Sequence, residues 1–156
     1  MKRTRQNSKR VIVFMGKLSL VFTCLAIQGF RSSPSSTFNL TVRIINFEHS
    51  RGVVEIGLYE KGDNWPTPGK TYKMARPTIS GNTATYVFKN LPNGDYAIAS
   101  YHDENGDGCC NKNLIGVPTE AFAFSNNVRP FLSAPSFKSC RFWVTEERGL
   151  TIKMVY

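Results

Sequence analysis

Between Phe38 and Phe47 apolar and polar positions alternate, with Leu40, Val42 and Ile44 set against Thr41 and Arg43. A period of two predicts a half-buried strand. Val53–Tyr59 repeats the pattern with Val54, Ile56 and Leu58, and the polar Glu48–Gly52 between the two runs predicts a hairpin. Lys61–Lys70 carries two prolines and two glycines, so it reads as a loop, with Trp65 expected at the edge of the core. Further strands are predicted at Tyr72–Arg76, Thr83–Lys89, Gly94–Tyr101, Arg141–Thr145 and Leu150–Tyr156. Turns fall at Ser80–Asn82, Leu91–Gly94 and Glu146–Gly149. Residues 102–137 show no strand periodicity, and no stretch has the period of an amphipathic helix. A succession of short strands separated by turn signals predicts an all-β fold, a single antiparallel β-sandwich of about seven to eight strands.

Charge divides the chain. The 156 residues carry a net charge of +9, but seven of the twenty basic side chains and none of the eleven acids lie in residues 1–36. The remainder is nearly neutral, which leaves little electrostatic case for nucleic acid. Residues 1–36 place a basic start before apolar runs (Val11–Gly16 and Leu18–Ile27) and a small-residue zone, Ser32–Ser36. That order predicts a signal peptide with a Ser/Pro-rich linker, so the mature chain, residues 37–156, is expected to be exported (periplasmic, secreted or cell-envelope associated). Cys24 falls in the discarded leader, and the apolar run is too short for a membrane span of about 20 residues. Cys109, Cys110 and Cys140 remain, an odd number, so at least one thiol lacks an intramolecular partner. A Cys109–Cys140 or a Cys110–Cys140 disulfide is compatible with the sequence.

The densest chemistry lies in Tyr101–Asn111. Asp103-x-Asn105-x-Asp107-Gly108 has the D-x-[DN]-x-[DN]-G spacing of a calcium loop, in which alternate residues supply oxygens and the glycine permits the bend. Continuing the register adds the carbonyl of Cys109 and the side chain of Asn111. Leu114 stands where an EF-hand has its bidentate glutamate. Glu120 is expected to supply that carboxylate across the following loop. The expected metal set is therefore Asp103, Asn105, Asp107, Cys109, Asn111 and Glu120, holding Ca2+ weakly. The competing reading is that these residues are turn formers bonded to their own backbone. A zinc set of His102, Cys109, Cys110 and Cys140 lacks the usual cysteine spacing.

Nothing resembles a nucleophile elbow or a phosphate loop. The catalytic reading left open is a hydrolase of cell-surface carbohydrate or another polymer, using Glu104, Glu120 and His102. His49 is expected to be solvated, and His102 to bond Asp103 or a backbone carbonyl. Ser125-Asn126-Asn127 is expected to bind backbone, and Phe122, Phe124, Phe131 and Phe137 to pack the long loop onto the sandwich.

Two stretches carry a family resemblance. Phe88-Lys89-Asn90-Leu91-Pro92-Asn93-Gly94-Asp95-Tyr96 resembles the turn-and-strand signature of transthyretin-like and immunoglobulin-like sandwiches, with Gly94 permitting the turn and Phe88, Leu91 and Tyr96 meeting in one core. His102-Asp103-Glu104-Asn105-Gly106-Asp107-Gly108, together with Gly116-Val117-Pro118-Thr119-Glu120 through Phe124-Ser125-Asn126-Asn127, resembles the DUF2141 family of exported bacterial proteins. The resemblance covers residues 38–156 and implies a β-sandwich with no assigned reaction. Cys109-Cys110-Asn111 departs from the family's Lys-Leu-Asp-like ending, putting an amide where a carboxylate is usual and lowering the expected cation affinity. The reading is an exported, non-enzymatic binding module with a calcium-stabilised loop, facing a protein or carbohydrate of the cell envelope. The hydrolase and a structural domain assembling through strand edges are the alternatives.

Overall fold

The computed structural model describes residues 36–60 and 62–156. The signal-peptide reading of the leader, with Cys24, lies outside the described residues. Eight strands form: β1 (Thr37–Ile45), β2 (Val53–Tyr59), β3 (Lys73–Ala75), β4 (Thr83–Pro92), β5 (Gly94–Asp103), β6 (Phe122–Phe124), β7 (Phe142–Val144) and β8 (Arg148–Lys153). They make two sheets, one ordered β4-β1-β8 and one ordered β3-β2-β5-β6, with β7 also on β5. The all-β sandwich expected from the strand pattern is therefore the fold. One pair is parallel, β1 with β8; the other strand pairs are antiparallel.

Alternation dictates the core. Leu40, Val42 and Ile44 of β1, with Phe88 and Leu91 of β4 and Ile152 of β8, face Val54, Ile56 and Leu58 of β2 and Tyr96 and Ile98 of β5, all buried. Burying each such side chain contributes about 1.5–3 kcal/mol.

The expected hairpin of β1 and β2 does not form. β1 pairs with β4 and β8, whereas β2 pairs with β3 and β5. Both strands carry an apolar face, and lying in opposite sheets lets those faces meet. The crossover starts at Asn46 and ends at Gly52, both with positive φ (73° and 78°). At the opposite corner β4 runs into β5 through Asn93 alone, so the turn predicted at Leu91–Gly94 is shorter than expected. Tyr96 donates its hydroxyl to the Pro92 carbonyl at 2.9 Å, the tyrosine-corner device of strands that change sheets. Gly94 does not have positive φ. It lies against the Tyr96 ring, where an added Cβ would make ordinary contact at 3.5 Å.

Sequence periodicity misses two short elements. β6 has only three residues, too few to show alternation. A single helical turn, α1 (Phe137–Cys140), is capped by Ser136, which accepts the Ser139 amide. Both hold the long segment to the sheet. β6 and β7 occupy successive stretches of one edge of β5, opposite Ala99–Tyr101 and Gly94–Tyr96. Between them the Ser125 hydroxyl accepts the Ile98 amide (2.9 Å) and donates to the Cys140 carbonyl (2.6 Å). Asn126 donates to the Ser139 and Arg141 carbonyls, and Asn127 accepts the Lys153 amide. This is the backbone-binding role expected of Ser125-Asn126-Asn127. Trp65 packs against Tyr59, Phe124 and Phe137 and donates to the Pro135 carbonyl at 2.7 Å, the core-edge position expected of it. Phe131 departs from expectation and faces solvent, 84% exposed.

Candidate functional site

β5 ends in two fully buried polar residues, His102 and Asp103. Successive strand residues point to opposite faces. His102, opposite Val54, turns into the end of the sandwich beside Phe47, while Asp103, opposite Val53, turns to the loop. The backbones of β2 and β5 approach closely here. A Cβ on Gly52 would lie 2.1 Å from the Asp103 carbonyl oxygen, so only glycine fits.

The loop is built on the Asp103 carboxylate. Oδ1 accepts the amides of Gly106 (2.7 Å) and Asp107 (3.1 Å), and Oδ2 accepts that of Gly108 (2.9 Å). Gly106 and Gly108 take positive φ, 75° and 79°. The carboxylate thus stands inside a ring of backbone donors. Arg76 lies against Gly108, its guanidinium 3.1 Å from where a Cβ would sit. It also donates through Nε and Nη2 to Glu55, which accepts the Tyr101 hydroxyl as well. Burial and, after it, the Glu55 charge push the Tyr101 phenol well above its usual range.

Of the six expected metal residues, Asn105, Asp107 and Asn111 converge at the exposed side of the loop. Asp107 Oδ2 receives the amide NH2 groups of Asn105 (2.9 Å) and Asn111 (3.0 Å), and Oδ1 receives the Cys109 backbone amide (2.8 Å). The Asn111 side chain first, then the Cys109 amide and Asn105, holds the Asp107 carboxyl below its ordinary value. Glu120 reaches the same loop from the far side as a backbone clamp: Oε1 accepts the Glu104 amide (3.1 Å) and Oε2 the Asn111 amide (2.9 Å). Among the described residues no three His, Cys, Asp or Glu side chains already enclose a common point.

Glu104 turns away from Glu120 and towards two histidines. Its Oε2 lies 3.1 Å from His49 Nε2 and 3.3 Å from Arg51 Nη2, and its Oε1 lies 3.9 Å from His102 Nδ1. His102 bonds a backbone carbonyl, that of Arg51, at 2.6 Å. His49, expected to be solvated, instead packs on the His102 ring with centroids 5.0 Å apart. Sequence reasoning missed the roles of His49, Arg51, Glu55 and Arg76, because their link to the loop runs through sheet pairing. All three cysteines of the domain are free, so neither of the two disulfides compatible with the sequence is present. Cys140 is buried beneath Ser125, and burial raises its thiol pKa. Cys110 is half-buried, its thiol raised by burial and then by Glu120.

Beyond the clamp the chain makes a tight tip. Thr119 donates its amide to the Asn111 carbonyl, and the Asn113 side chain accepts the amides of Ile115 and Val117. The tip holds Leu114 and Ile115 out to solvent, 106% and 83% exposed, beside Val117.

A family model described as an uncharacterized protein conserved in bacteria (DUF2141) matches residues 42–152, most of the sandwich and the whole of this loop. No curated protein and no solved structure matches the chain.

Proposed function

We propose that this chain, which belongs to the DUF2141 family, is an exported, non-enzymatic binding module that presents the 103–120 loop to a protein of the cell envelope. The observation that carries the reading is the pairing of a clamped base with an apolar tip. Asp103 and Glu120, both buried, hold five backbone amides between them, while Leu114, Ile115 and Val117 face water. Fixing a loop in advance reduces the ordering cost of binding. Apolar side chains held at a rigid tip favour a protein surface over a sugar.

Calcium is the proposed loop ligand. The Asn105 and Asn111 amide NH2 groups converge on Asp107 Oδ2, and a cation bound there would displace both; turning Asn111 over would offer it an oxygen, whereas the Asn105 oxygen already accepts the Asp107 backbone amide. With Asp103 and Glu120 already bound to amides, Asp107 is the main charged ligand, and a millimolar affinity suits an extracellular module.

The test is thermal unfolding of the purified chain in calcium and in chelator. The melting temperature should rise at millimolar calcium and fall back with chelator, and Asp107→Ala should abolish the rise. An unchanged melting temperature removes calcium from the reading. A photo-crosslinking side chain at Leu114 in cells should give a discrete adduct, and its absence overturns the binding surface. N-terminal sequencing of protein recovered from cells tests removal of the leader.

Assembly through strand edges has its own support. Among the described residues β1 is the one strand that pairs with β4; Ser80 bridges Thr83 and the Lys73 side chain donates to the Lys89 carbonyl, and between these points Tyr86 and Val87 are exposed. An open β-edge is a template for a further strand. Sedimentation should then show a dimer that Thr85→Pro disperses.

A further inference from the structure

We propose that His49, His102 and Glu104 form a binding site for a divalent transition-metal ion of the zinc class, separate from the 103–111 loop. The starting point is a buried ring nitrogen without a partner. His102 is fully buried, and its Nε2 lies 2.6 Å from the Arg51 carbonyl oxygen. A carbonyl only accepts, so Nε2 carries the hydrogen and Nδ1 presents a lone pair. That Nδ1 has no hydrogen-bond partner. Leaving such an acceptor buried and unsatisfied is unfavourable. A histidine whose tautomer is set by a backbone carbonyl on one nitrogen, with the other left open, is the arrangement metal-binding histidines use.

The lone pair points into a cluster of donors. Glu104 Oε1 lies 3.9 Å from His102 Nδ1, and Glu104 Oε2 lies 3.1 Å from His49 Nε2. The His49 ring sits 5.0 Å from that of His102, and its own Nδ1 is also buried without a partner. Zinc holds nitrogen and oxygen ligands at about 2.0–2.2 Å, which puts neighbouring donors of a tetrahedral ion roughly 3.3 Å apart. The two Glu104 distances bracket that spacing. As placed, the three side chains do not form a metal-holding group, so closing the site requires Glu104, which is partly exposed, and His49, which lies in the crossover between β1 and β2, to turn towards His102. Two imidazoles and a carboxylate suit zinc, copper or nickel rather than calcium.

Arg51 is the competitor. Its Nη2 lies 3.3 Å from Glu104 Oε2 and 3.5 Å from His49 Nε2, so the guanidinium neutralises the carboxylate where the ion would bind. The side chain is 72% exposed and free to swing into water. The backbone carbonyl of the same residue stays to hold His102.

The test is zinc titration by calorimetry on the full chain with Cys24, Cys109 and Cys110 changed to Ser, so that these thiols contribute no ligand. One-to-one saturable binding is expected. His49→Ala and Glu104→Gln should each weaken it by at least about tenfold. Arg51→Ala should tighten it, and Asp107→Ala should leave it unchanged, which separates the site from the calcium loop. Cobalt(II) should give the visible bands of a tetrahedral nitrogen–oxygen site, lost in His49→Ala. His49 and Glu104 are each partly exposed, so both variants should fold, and their melting temperatures without metal check this. Absence of one-to-one binding, or binding unchanged in both His49→Ala and Glu104→Gln, overturns the proposal.

Discussion

Asp103 Oδ2 accepts the Gly108 amide at 2.9 Å, and this bond closes the loop onto the end of β5. Oδ1 takes two further amides, so one buried carboxylate satisfies three backbone donors. Asp103→Ala removes all three at once and should destabilise the domain by about 3 kcal/mol, read by urea unfolding. A loss within experimental error would show that the loop holds itself without the carboxylate.

Gly52 allows the backbones of β2 and β5 to approach at the same place. Gly52→Ala adds a Cβ that meets the Asp103 carbonyl at 2.1 Å, in a residue with φ of 78°. Positive φ alone costs about 1–2 kcal/mol. The clash is with backbone, which cannot yield, so a total of about 3 kcal/mol or more is expected. Gly81, also at positive φ but with open space around it, is the control and should show only the smaller cost.

Acid should loosen the loop before the sandwich. The Asp107 carboxyl is held below its ordinary 3.8 by Asn111, the Cys109 amide and Asn105. A lowered folded pKa contributes stability that is present above the unfolded value and lost as pH falls through the folded one. Amide exchange at Cys109 should therefore quicken below pH 3.8 while the β1–β4 ladder stays protected. Asn111→Ala, which removes the largest cause, should blunt that dependence.

Alkali acts at the opposite corner. Burial, with smaller contributions from Tyr72 and Glu60, pushes the Tyr96 phenol from 10.0 up to about 12. The fold favours the protonated phenol, so this stabilisation is complete below pH 10 and lost as pH rises from 10 to 12. Tyr96→Phe removes the bond to Pro92 and should cost about 1 kcal/mol at neutral pH. Its stability should then fall less steeply across that alkaline window than the parent's. The remaining slope comes from residues such as Tyr59, also raised to about 12 by burial and Glu55.

The strands were legible wherever alternation ran for several residues. β1, β2, β4 and β5 fall close to their predicted positions, because a strand with one buried face must write that face into every second residue. Three-residue β6 has no room for a period. Pairing was less legible. The short polar connection after β1 suggested a hairpin, yet both strands needed the same core and so took opposite sheets. Within the loop, the glycine and carboxylate positions were readable because positive φ and amide capping demand particular residues locally. The direction of the Glu120 side chain was not, because its partners come from two separate segments.

For this protein the sequence by itself determined the strand faces, the residues of the core and the Asp-Asn-Asp-Gly loop, since each obeys a local rule of spacing or backbone conformation. Only the tertiary structure decided what the loop sits on. It set Gly52 against Asp103, made Glu120 a clamp, and brought His49 and Arg51 of one crossover to His102 and Glu104 at the end of β5. Those contacts join residues some fifty positions apart through the register of β2 on β5, and no local pattern encodes a register that only the packing of two sheets selects.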